Sequence, residues 1–219
     1  MPTLKPLGDS ALLVTFGDEM DLRINQRVHA LAALLDSAPL AGIAETVPAY
    51  ASLLVHYDPL ILTYTQAADW VRGQIDRTES TVTRKPRRVE VPTRYGGASG
   101  PDLEAVAALQ GLSEADVIRI HSGREYLVYM MGFTPGFPYM GKLDEAIVTP
   151  RLETPRTLVK AGTVAIAGAQ TGIYPLDSPG GWRLIGWTPL RLFDPASESP
   201  FLFAPGDTVR FVPIEDSNA

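Results

Sequence analysis

Three stretches of this chain carry residue types able to do chemistry. Gly136-Phe137-Pro138-Tyr139-Met140-Gly141-Lys142 has the spacing G-x-x-x-x-G-K and follows a strand-like run, which raises phosphate binding. The next residue is Leu143, so the hydroxyl that would hold Mg²⁺ is missing. Pro138 lacks an N–H donor, and Phe137 and Tyr139 crowd the approach. The stretch reads instead as a tight aromatic turn packed on its scaffold, or as the apolar wall of a small-molecule cleft lined by Phe133, Pro135, Gly136, Phe137 and Tyr139. Gln170-Thr171-Gly172-Ile173-Tyr174 sets an amide, a hydroxyl and a phenol close together; each can bond a ligand amide or carboxylate, or satisfy its own turn. The adjoining Ser178-Pro179-Gly180-Gly181-Trp182 adds Gly180 and Gly181 to the same candidate cleft. Arg151 and Arg156 bracket Thr154-Pro155. Arg156 is the candidate for gripping a carboxylate or phosphate, against the commoner role of a solvated surface cation.

The histidines are His29, His56 and His121, and none is spaced with another ligand type in a metal pattern, so no metal site is expected. His121 lies nearest the rich segment and is the candidate for proton transfer beside Tyr174; its bland role is to close a short helix. No Gly-x-Ser-x-Gly elbow occurs, and there is no cysteine, which removes thiol nucleophiles, thiolate metal sites and disulfides.

These residues need a rigid support. Between 132 and 189 the chain has 9 Gly and 7 Pro, yet large apolar residues are interleaved with them, so the segment should be ordered backbone rather than low-complexity linker. Upstream, 11–16 reads as a strand and 21–36 as a helix with Ile24, Val28, Leu31 and Leu35 on one face. Residues 43–48 and 52–57 read as strands, and 65–77 as a second helix capped by Thr65. Residues 78–88 carry few large apolar groups and read as a linker. The expectation is an α+β N-terminal domain, 1–82, of two layers. A strand from Arg88, a short helix opened by Pro101 and another by Ser113 lead into strands at 124–131, 163–167, 182–186 and 208–213. Short strands joined by Gly/Pro loops predict a mainly β, closed or nearly closed barrel over 86–219.

The 219 residues carry 45% hydrophobic and 20% charged residues and a net charge of −6, with no long basic run, which argues against nucleic acid or an anionic membrane as main partner. No apolar run nears the ~20 residues of a membrane span, and Asp9 interrupts the N-terminal stretch, so no signal peptide is read and the cytoplasm is expected.

Pro92-Thr93-Arg94-Tyr95-Gly96-Gly97, the loop at 132–141, Thr154-Pro155-Arg156, the run Ala161–Gly168, Gln170–Pro175, and Ser178–Trp182 with Ile185-Gly186 all resemble one family: the B subunits of 5-oxoprolinase, also called allophanate hydrolase subunit 1 or KipI-like. The resemblance spans nearly the whole chain and is most specific between about 90 and 190. It implies a cyclophilin-like barrel for the C-terminal domain, which periodicity alone does not identify. It also implies a heteromeric hydrolase, inactive when one chain stands alone. In it the B subunit joins a C subunit, cyclophilin-like and carboxyltransferase-like, and an A subunit of the LamB/YcsF type. Together they open 5-oxo-L-proline to L-glutamate with ATP. Other members imply alternatives: a carboxyltransferase role in urea or allophanate metabolism, or KipI-like inhibition of a histidine kinase. A lactam is a poor electrophile. Coupling to ATP can activate its carbonyl, and donors must face the developing oxyanion. The chain departs from the family pattern at Lys160, where proline is usual, and at Trp187, where a small or basic residue is usual.

Overall fold

The structure, a computed structural model, describes residues 2–79 and 86–215. The chain divides into two compact units, 1–85 and 86–219.

In the first unit, strands β1 (Thr3–Pro6), β2 (Ala11–Thr15), β3 (Ile43–Pro48) and β4 (Ser52–Tyr57) form an antiparallel sheet in the order β1-β2-β4-β3. Alternation puts Leu12 and Val14 of β2 and Leu53 and Val55 of β4 on one face. Helices α1 (Leu22–Ser37) and α2 (Tyr64–Ile75) cover that face with Val28, Leu31, Leu35, Ala67 and Val71. Asp21 caps α1 through the N–H groups of Arg23 and Ile24. Thr63, rather than Thr65, caps α2: its hydroxyl accepts from the Gln66 N–H while the Gln66 side chain accepts from the Thr63 N–H. That reciprocal box contributes about 1 kcal/mol and starts the helix one residue early. β1 is a further correction, since its Pro and Lys conceal a strand. The expected linker shortens, because a 3₁₀ turn occupies Asp76–Glu79 with Thr78 buried and a strand begins at Arg88. Residues 80–85 of that linker lie outside the described residues.

The second unit is a closed barrel of seven strands. Around it run β10 (Gln170–Ile173), β7 (Pro138–Gly141), β6 (Glu125–Met131), β13 (Thr208–Pro213), β5 (Arg88–Tyr95), β12 (Arg183–Trp187) and β9 (Thr163–Ala167), with β9 pairing back onto β10. The β5–β13 pair is parallel, in register from Arg88 opposite Thr208 to Thr93 opposite Pro213. Asp207, fully buried, secures this seam: it accepts from the Arg87 and Ala204 N–H groups (3.0 Å each) and from the Arg87 guanidinium (2.9 Å). A short ribbon of β8 (Arg156–Val159) and β11 (Ser178–Gly180) stands apart from the barrel strands. Helices α3 (Leu103–Gln110) and α4 (Glu114–Ser122) lie between β5 and β6 in sequence, and α4 is capped by Ser113 as expected. α3 starts at Leu103 and not at Pro101, and its N-cap Asp102 spends its carboxylate on Arg156 and the Leu184 N–H rather than on the helix.

Two segments read as loops are strands. β7 holds the G-x-x-x-x-G-K lookalike, with Gly141 paired to Leu127 and to Gln170, so its backbone donors serve the sheet. β10 holds Gln170-Thr171-Gly172-Ile173. The all-buried strand β9 has apolar partners on both faces. Val164 and Ile166 belong to the main core with Val91, Tyr126, Val128, Met140, Val209 and Phe211, while Ala165 and Ala167 join a second cluster with Phe137, Tyr174, Trp182 and Leu184.

Candidate functional site

The second cluster opens into a cleft of about 100 Å³ lined by Phe133, Phe137, Tyr139, Arg151, Tyr174, Gly181 and Trp182. Phe137 is its hub, with ring centroids 5.3 Å from Tyr174, 5.5 Å from Trp182 and 4.9 Å from Tyr139. The wall is tight because glycines admit the rings: a Cβ on Gly172 would strike Phe137, and a Cβ on Gly180 would overlap the Tyr174 hydroxyl. The segments 132–141 and 170–182 therefore meet, from opposite ends of a sequence separation that β10 and β7 close by pairing.

At the mouth the backbone folds back on itself. The Thr134 N–H donates to the Gly132 carbonyl (2.8 Å), closing a γ-turn with Phe133 at its apex at φ 65°. A bulky aromatic in that region is strained, and Phe133 is 60% exposed. Burial raises the pKa of Tyr174, against smaller lowering by the Trp182 backbone N–H and by Arg151; burial likewise raises that of Tyr139, against Arg151. Both phenols thus remain protonated near neutrality, so each keeps an O–H able to donate.

The other expected site residues fall elsewhere. Pro135 is exposed and Gly136 is packed under Phe193; neither lines the cleft. Thr171 and His121 lie in the barrel interior. The Thr171 hydroxyl donates to the Ala165 carbonyl (3.1 Å), so it accepts from His121 Nε2–H (2.9 Å), leaving His121 Nδ1 to accept from the Tyr95 hydroxyl (2.7 Å). His121 is completely buried between Tyr126 and Phe211, and burial lowers its pKa to about 3. Its protons are committed inside the barrel, where no cleft residue reaches them. Gln170 is half-buried in β10 and does not line the cleft.

Arg156 is engaged structurally. Its Nη2 donates to Asp102 (2.7 Å), whose other oxygen accepts from the Leu184 N–H (2.7 Å), tying β8 to β12; Nη1 is buried without a partner. The arginine that lines the cleft is Arg151, five residues earlier. The departures at Lys160 and Trp187 are satisfied locally, by Asp177 (2.7 Å) and by the Ala161 carbonyl (2.9 Å). Among the described residues no group of three or more His, Cys, Asp or Glu side chains is placed to hold a metal, and no helix is long and apolar enough to cross a membrane.

A family model for the carboxyltransferase domain, subdomain C and D, matches residues 2–203. The chain belongs to this carboxyltransferase subdomain family. Within it, the chain is 42% identical to the B subunit of 5-oxoprolinase from Bacillus subtilis over 98% of its own length and 94% of that protein. It is 43% identical to the B subunit of 5-oxoprolinase from Escherichia coli O157:H7, covering 96% and 95%. Urea amidolyase of Lachancea kluyveri is 28% identical over 98% of this chain, which spans 13% of that protein. Among solved structures, a conserved uncharacterized protein, PH0987 from Pyrococcus horikoshii, is 49% identical with a TM-score of 0.58, covering 98% of each chain. TTHA0988 is 41% identical with a TM-score of 0.83; this chain covers 95% of itself but spans only 40% of that chain.

Proposed function

We propose that this chain is the B subunit of an ATP-dependent 5-oxoprolinase, which opens 5-oxo-L-proline to L-glutamate in the cytoplasm together with partner A and C subunits. The observation that carries it is similarity to curated B subunits at 42% and 43% identity over almost the full length of both partners. In this reading the barrel is cyclophilin-like, and the aromatic cleft holds the lactam ring. The protonated Tyr174 and Tyr139 are donors for a carbonyl oxygen that gains negative charge as the ring opens, where such donors are most effective in a dry site.

The aromatic cleft does not fit a nucleotide. The one phosphate-loop spacing is consumed by strand β7, and a cleft of about 100 Å³ is below the ~300–1,000 Å³ of larger ligand sites. In this reading the nucleotide site is completed at a subunit interface, and the chain alone is inactive. A second reading, a carboxyltransferase part in urea metabolism, is favoured by the family match and by the urea amidolyase similarity.

The test is reconstitution. Glutamate release from 5-oxo-L-proline is measured for the chain alone, for the A and C subunits without it, and for all three with ATP. Turnover only in the mixture of all three supports the proposal. Turnover by the isolated chain, or full activity without it, overturns it. Carboxylation of urea by the chain with a biotin-dependent partner would establish the second reading instead.

A further inference from the structure

We propose that Arg151 and Phe133 make the cleft a subsite selective for a small cyclic carboxylate, Arg151 taking the carboxylate and Phe133 covering the ring. The name of the ligand rests on the oxoprolinase reading; the selectivity rests on the cleft itself. Arg151 is the one arginine lining the cleft; it is exposed, and among the described residues no ion pair joins its guanidinium to a carboxylate. Its neighbour in sequence, Arg156, is held by Asp102 at 2.7 Å. Its charge is felt at Tyr174 and Tyr139, where it acts against the larger effect of burial, so it shares their electrostatic environment. A planar guanidinium free to turn toward a cleft is suited to two parallel bonds with a carboxylate.

Phe133 supplies the second, independent observation. Its backbone sits at φ 65°, a conformation that costs about 1–3 kcal/mol for a bulky residue. Its packing is partial: the side chain is 60% exposed and makes ring contacts only with Phe137 and Tyr174. That backbone places an aromatic ring over the mouth, 5.6 Å from Phe137 and 6.3 Å from Tyr174. An exposed ring facing a rim of phenols, with one unpaired cation, matches a ligand that is a compact ring carrying one negative charge. The volume of about 100 Å³ excludes a nucleotide and suits a single small ring.

The test is binding, measured by calorimetry on the full chain and on the complex with its A and C partners, without ATP. The probes are 5-oxo-L-proline, 2-pyrrolidinone (the same ring without a carboxylate) and cyclopentanecarboxylate (the charge without a lactam). The wild type should bind both carboxylates at least tenfold more tightly than 2-pyrrolidinone. Arg151→Gln should abolish that preference, and Arg151→Lys should restore part of it. Phe133→Gly, which adopts a positive φ without strain, should weaken all three probes about tenfold with no loss of thermal stability. Equal binding of the carboxylates by wild type and Arg151→Gln, or no binding by either chain or complex, overturns the proposal. If the reconstituted complex fails to turn over 5-oxo-L-proline yet cyclopentanecarboxylate binds in an Arg151-dependent way, the oxoprolinase reading falls and this subsite stands.

Discussion

Acid should unfold the second unit through His121. The imidazole is completely buried, with Nδ1 accepting from Tyr95 and Nε2 donating to Thr171, so a second proton would have to displace the Tyr95 bond. Burial holds its pKa at about 3 in the folded chain, against about 6.5 when unfolded. The unfolded chain therefore binds a proton across the window from 6.5 down to about 3 that the folded chain refuses. The contribution is present in full above pH 6.5 and is lost as the pH falls below it, by about 1.4 kcal/mol per unit. At pH 5.5 about ten of eleven unfolded molecules carry the proton, which costs the folded state about 1.4 kcal/mol; at pH 4.5 the cost is about 2.7 kcal/mol. Carboxylates titrate over part of the same range, so the comparison is with His121→Gln, which retains a donor and an acceptor but cannot titrate. Urea unfolding followed by fluorescence at pH 7.5 and 5.5 gives both slopes. The variant should be less stable at pH 7.5 yet lose about 1.4 kcal/mol less than the wild type on acidification. Parallel slopes for the two proteins would refute the buried neutral imidazole.

Three further outcomes are expected. Tyr174→Phe removes one hydroxyl from the cleft and should lower activity of the reconstituted complex 10–100-fold, with an unchanged melting temperature; unaltered kinetics would reduce Tyr174 to packing. Asp207→Ala strips the acceptor from two backbone N–H groups and the Arg87 guanidinium and should cost about 3 kcal/mol by chemical denaturation; a loss under 1 kcal/mol would show that the seam holds without it. Fragments 1–82 and 86–219, expressed separately, should each melt cooperatively in a calorimeter, since each of the two compact units has its own apolar cluster.

Period made β2, β4, β13 and the two long helices legible, because their apolar residues repeat with the spacing of the element, while β9 was legible as a short apolar run between glycines. β7 and β10 were concealed by Pro138, Gly141 and Gly172, residues that usually break strands. In this barrel Gly172 is required by the Phe137 ring pressed against it, so a packing demand overrode the local signal. The aromatic half of the cleft was readable as a Gly/Pro-rich stretch carrying large rings. Its cation was not. Arg151 and Arg156 are the same residue type five positions apart, and only Asp102, 54 residues away, distinguishes the engaged arginine from the free one. Thr171 and His121 misled for a related reason: polar residues near a glycine-rich segment suggest a ligand site, whereas here they satisfy one another inside the barrel.

The parallel seam between β5 and β13 governs when this barrel can exist at all. β13 lies between β5 and β6, so the strand last in sequence joins the first two strands of the unit. Until it arrives, β5 and β6 present bare edges, and more than a hundred residues must be held in place to receive it. Such distant pairing is slow, and open edges invite pairing with other chains. Synthesis of this protein should therefore leave a nearly complete barrel waiting on its final strand. Truncation just before Thr208 would yield an aggregating species rather than a smaller folded one.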